Sequence, residues 1–142
     1  MPRRLALAVA LALSASLARA GEPGDEAAKS YRIVTDGSTR SLQAGGKGRL
    51  VLFIEPLQKV HVHPQAPLKI KIEAPAGLEI AKAELGHKDA VDPKAEAPRF
   101  EVPFTAVARG HHEARANLDF FICSDTWCVK QVKSVSFPVD VK

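Results

Sequence analysis

The sequence has little of several things: two cysteines, one methionine, one tryptophan and one tyrosine among 142 residues. After the first twenty residues it also lacks any long apolar run. About twenty consecutive apolar residues are needed for a spanning helix, so the remainder is not expected to cross a membrane. The only methionine is Met1 and no histidine follows either cysteine, which argues against a blue-copper centre. Gly-x-Ser-x-Gly, His-Glu-x-x-His and P-loop patterns are absent, so hydrolytic and nucleotide chemistry have no signature here. No basic cluster interleaved with aromatics occurs either, which leaves nucleic-acid binding unsupported. Internal repeats and helical periodicity are missing too.

What is present begins with an export signal. Arg3 and Arg4 precede an apolar stretch from Leu5 to Leu17, broken only by Ser14 and Ser16, and Ala18-Arg19-Ala20 supplies a small-x-small cleavage pattern. Residues 1–20 therefore read as a signal peptide, and the expected location is periplasmic or secreted. No cysteine follows the cleavage site, so a lipid anchor is not expected. Removing twenty residues leaves 122, enough for one domain with an apolar core. The formal charge is +4, and Arg3, Arg4 and Arg19 supply three of those positive charges, so the mature chain is near neutral.

Residues 21–30 are polar and contain Gly and Pro, as expected of a flexible leader. From residue 31 to 142 the pattern alternates with period two. Tyr31–Thr35, Arg49–Glu55, Leu68–Glu73 and Arg99–Phe104 read as strands, with Pro103 marking an edge or bulge. Leu78–Leu85 is open between helix and strand. A long strand from Gly110 shares Ala114, Ala116, Leu118, Phe120 and Ile122 on one face, and the last strand carries Val135, Phe137, Val139 and Val141. The expected fold is all-β, an antiparallel immunoglobulin-like β-sandwich of about seven to nine short strands.

Cys123 and Cys128 flank Ser124-Asp125-Thr126-Trp127, at the tip of what reads as a β-hairpin. Directly opposed residues in a hairpin have Cβ atoms about 4.5–5.5 Å apart, within a small adjustment of disulfide geometry. Such a pair either staples the loop or exchanges disulfides, and spacing leaves the choice open. Phe120, Phe121 and Trp127 are candidate screens around the pair, and equally candidate packing residues. Asp119 is a candidate proton-transfer group, with surface charge as its ordinary role. Lys130 and Lys133 are the nearby cations.

The order of features resembles the N-terminal domain of the thiol:disulfide interchange protein DsbD. It rests on the exported leader, the segment Val62-His63-Pro64-Gln65-Ala66-Pro67-Leu68, the strand Arg99–Phe104, the late Phe-x-x-Cys…Cys run and the valine-rich terminal strand. The resemblance implies an immunoglobulin-like sandwich whose redox-active pair falls on Cys123 and Cys128. It also implies electron relay with a periplasmic or membrane thiol-redox partner, hence a component of a thiol:disulfide oxidoreductase system without a cofactor. Four residues separate this pair where the family has five. No membrane conduit or thioredoxin-like domain occurs in the sequence, so the donor is expected to be a separate protein.

Two other readings stay beside this one. The first is a non-catalytic interaction module whose hairpin disulfide is structural. The second is copper or zinc binding through His61 and His63, about 7 Å apart on one face of an extended segment, together with the cysteines. Solvated or packing histidines before a proline turn are the ordinary alternative.

Overall fold

The computed structural model describes residues 23–57 and 59–142, so the expected signal peptide over 1–20 lies outside the described residues. Period-two alternation does what it should. In Lys69–Glu73 (β5), Ile70 and Ile72 point inward and the charged residues outward. In Arg99–Ala106 (β8), Phe100, Val102, Phe104 and Ala106 are buried in turn.

Among the described residues six strands of four residues or more carry the fold: Tyr31–Val34 (β1), Lys47–Pro56 (β3), β5, β8, Gly110–Cys123 (β9) and Cys128–Val141 (β10). Four two-residue strands complete it: Ser41–Leu42 (β2), His61–Val62 (β4), Leu78–Glu79 (β6) and Glu84–Leu85 (β7). One sheet runs β1-β3-β8-β6. The other runs β2-β10-β9-β5-β7, with β4 also pairing β9. Every pairing is antiparallel except β10 with β2. This is an antiparallel immunoglobulin-like β-sandwich.

The ambiguous stretch Leu78–Leu85 resolves into two strands in different sheets. β6 pairs β8 and β7 pairs β5, so the segment crosses between layers. Pro103 sits on β8 beyond the reach of β6, which touches only Thr105 and Ala106. Its missing N–H therefore interrupts no ladder. The leader expected to be flexible over 21–30 is helical from Pro23 to Lys29 (α1), with Asp25 and Glu26 in the first turn and Lys29 in the last. Those charges complement the helix dipole, and the fully buried Ala27 ties the helix to the core.

Both inner faces meet in one apolar core, where Phe100 and Phe120 are the largest fully buried side chains. Tyr31 seals its edge. Its ring meets Phe120 edge-on at 5.1 Å, and its hydroxyl donates to Gln131 Oε1 at 2.8 Å. Burial pushes the Tyr31 phenol up to about 12. A raised folded-state value means that the stability it brings is complete below pH 10, where unfolded tyrosine ionises. That stability is lost as pH rises through about 12. Tyr31 is the only tyrosine, so phenolate absorbance reads it alone. The expected titration midpoint is about 12 in the folded protein and about 10 in denaturant. A folded midpoint near 10 would contradict the buried phenol.

Candidate functional site: the hairpin-tip disulfide

β9 and β10 form a hairpin in register from Gly110↔Val141 to Cys123↔Cys128, fourteen residue pairs. The turn closes on itself. Ser124 N–H donates to Trp127 O at 2.8 Å, and Ser124 Oγ accepts from the N–H groups of Thr126 and Trp127, both at 3.2 Å. At its base Cys123 and Cys128 are joined by a disulfide, with Cα atoms 4.1 Å apart. That separation marks a non-hydrogen-bonded antiparallel pair.

The disulfide lies on the outer face of its sheet, not in the core. Along β9 the even residues from Ala114 to Ile122 are buried inward, which leaves Asp119, Phe121 and Cys123 on the other face. Their β10 partners are Val132, Lys130 and Cys128. The two sulfur-bearing residues are unequal: Cys123 is 2% exposed, whereas Cys128 is exposed.

Around this pair the expected site residues separate by face. Phe121, half-buried, and Asp119 share the disulfide's face. Phe120 lies on the opposite face, in the core against Tyr31. Trp127 packs partly buried against the core from the turn. Of the two cations, Lys130 is on the disulfide's face and pairs with Asp119 at 3.7 Å. Lys133 turns the other way and sits 5.9 Å from the Tyr31 ring centroid.

The sequence pattern did not signal β4, whose two residues are too few to show a period. β4 pairs His61 with Cys123 and Val62 with Ile122, so His61, Cys123 and Cys128 form one row across three strands. The His-Pro segment then turns beside the hairpin. His63 N–H donates to Phe121 O at 3.0 Å, and His63 Nδ1 accepts from the N–H groups of Gln65 and Ala66, both at 3.1 Å. The His61 and His63 ring centroids are 6.2 Å apart. With the cysteines joined to each other, neither is a thiolate ligand. Among the described residues no group of three or more His, Cys, Asp or Glu side chains is arranged to hold a metal ion.

No family model matches the chain, and no curated protein matches it. Solved structures are similar to it at low identity. Domains 4 and 5 of the S-layer protein SbsC share 16% identity over 78% of this chain and 50% of that one, with a TM-score of 0.42. This chain thus spans half the length of that fragment. AggA, the major subunit of aggregative adherence fimbriae type I from Escherichia coli, shares 6% over 79% and 94%, at 0.45. A conjugative transposon lipoprotein from Bacteroides eggerthii shares 8% over 76% and 96%, at 0.41. The likeness is one of sandwich architecture and says nothing of chemistry or partners. The comparisons give an electron relay no support.

The chain is a β-sandwich with a disulfide at one hairpin tip. Disulfides persist in oxidising compartments, which places the folded chain outside the cytoplasm. Among the described residues no helix is long and apolar enough to cross a membrane.

Proposed function

We propose that this protein is a periplasmic thiol–disulfide exchange module resembling the N-terminal domain of DsbD. One observation carries the reading: the two cysteine residues are unequally exposed on a hairpin that fourteen residue pairs already hold. As a staple the bond adds little. Closing a ring of six residues stabilises by about 2 kcal/mol on the chain-entropy model, and the loop has its own hydrogen bonds. As a reactive group it joins one exposed cysteine to one covered cysteine, which is a workable arrangement for directed exchange.

A thiolate of a partner dithiol attacks Cys128 Sγ. The Cys123–Cys128 bond breaks, and its electron pair leaves on Cys123 Sγ, which takes a proton from solvent. The partner's second thiolate then attacks the partner sulfur of the mixed disulfide and releases Cys128. The partner dithiol is oxidised to a disulfide and this pair is reduced. The same steps run in reverse against an oxidised acceptor.

A second reading has an observation of its own. Cys123 is almost fully covered, and the turn is bonded to itself, as suits a non-catalytic interaction module with a stiffened tip. The reduction potential of the pair separates the two, measured by thiol trapping across dithiothreitol buffers. Exchange predicts a value above about −300 mV, and a structural disulfide a value below it. The lower value would retire the exchange reading.

A further inference from the structure

β10 is an edge strand for most of its length. Among the described residues it is strand-paired on the side away from β9 only at Asp140 and Val141, by β2, while α1 packs against β10 without a main-chain hydrogen bond to it. The direction of its backbone groups follows from three independent contacts. Cys123↔Cys128 is a non-hydrogen-bonded pair, so the N–H and C=O of Cys128 point away from β9. Ser124↔Trp127, the next pair, is hydrogen-bonded. At the far end Asp140 N–H, in the same parity as Cys128, donates outward to Arg40 O at 2.8 Å. The main-chain groups of Cys128, Lys130, Val132, Ser134 and Ser136 therefore all face the side on which no strand is paired. Among the described residues one bond reaches these groups: Gln131 Nε2 donates to Lys130 O at 3.1 Å. Pro138 shares the parity, so the N–H it lacks is one the β9 ladder never needed.

The edge spans about 26 Å at 3.3 Å per residue, and it begins at the exposed cysteine. We infer that β10 receives an extended, cysteine-bearing segment of the partner as an added antiparallel strand, with the partner cysteine directly opposite Cys128. This deepens the exchange reading and rests on it. A hydrogen-bonded antiparallel pair holds Cα atoms about 5.5 Å apart, inside the range that a disulfide bridges. The incoming sulfur then reaches Cys128 from the side away from Cys123, the direction that displacement of Cys123 at that sulfur requires.

The same register names the segment's chemistry. Antiparallel pairing sets the residue two before the partner cysteine against Lys130, and the residue four before it against Val132. Lys130 is half-exposed and held only by the loose pair with Asp119, so it favours an acidic residue there. Val132 is 66% exposed on the outer face and favours an apolar one. The recognised pattern is apolar-x-acidic-x-Cys.

The probe is the blocked peptide Val-Thr-Glu-Thr-Cys-Thr, reacted as its thiol with the oxidised mature protein, with dithiothreitol as the small-thiol reference. Lys130→Pro removes one edge N–H and the charge, while Lys130→Ala removes the charge alone. The expected result is a further drop of about fivefold in the peptide rate between Ala and Pro, the size of one net hydrogen bond, with the dithiothreitol rate held within about twofold. N-methylating the peptide's glutamate, which leaves the protein untouched, should slow the reaction to a similar degree. The inference is overturned if peptide and dithiothreitol rates fall together, or if neither Pro nor N-methylation slows the peptide. It is also overturned if sedimentation shows a dimer that Lys130→Pro breaks, since the edge then belongs to a second copy. A protein inert to both thiols removes the exchange reading itself.

Discussion

Replacing Phe120 with alanine is expected to lower the unfolding free energy by about 3–5 kcal/mol, the usual cost of emptying a buried phenylalanine site. The reduction potential of the disulfide is expected to stay where it was. Phe120 is 1% exposed, faces the core and braces Tyr31, while Cys123 and Cys128 lie on the opposite face of the same hairpin. Truncation opens a cavity between the sheets and frees the Tyr31 ring, but it removes nothing that touches sulfur. Urea unfolding should show a lower midpoint with an unchanged slope, which marks lost stability without a changed denatured state. A shifted potential would mean that Phe120 acts on the disulfide after all.

That expectation shows where reading from sequence succeeds and where it stops. Period two is enough to say which residues share a face. It groups Ala114, Ala116, Leu118, Phe120 and Ile122 on one side of β9 and Asp119, Phe121 and Cys123 on the other, as the structure has them. It also makes Cys123 and Cys128 opposed residues of a hairpin, and they are register partners. What it leaves open is whether aromatics beside a cysteine screen it or pack. Phe120 and Phe121 are chain neighbours, and only the position of the second sheet decides that one is core and the other lies on the outer face.

Neighbourhood between strands is the larger gap. Alternation says nothing about which strand lies beside which, so the row His61–Cys123–Cys128 could not be read from it. β2 and β4 are two residues long, below any detectable period, and yet β2 closes one end of the β10 edge and β4 carries His61 to the disulfide. Leu78–Leu85 resisted assignment for a related reason: as two short strands in two sheets it has no single periodicity. α1 is a tertiary effect. A seven-residue stretch that contains Pro and Gly has little reason to be helical alone, and the buried Ala27 supplies the packing.

The two single-cysteine variants are expected to differ by about a hundredfold or more in reactivity. In Cys123→Ser the remaining thiol is that of Cys128, at an exposed position on the outer face. It should react with iodoacetamide and glutathione disulfide at close to the rate of a small thiol. In Cys128→Ser the remaining thiol is that of Cys123, at 2% exposure and flanked by β4. Reagent reaches it only when the tip opens. An opening that costs about 3 kcal/mol, modest for a segment within a fourteen-pair hairpin, slows the reaction roughly a hundredfold. The serines are slightly smaller than the cysteines but leave the ladder intact, so both proteins should fold, and their melting temperatures check this. The same asymmetry dictates that a stable mixed disulfide forms on Cys123→Ser and not on Cys128→Ser. Equal rates would remove the ground for placing first attack at Cys128. With it would go the reason for a partner strand to dock along β10 rather than beside His61.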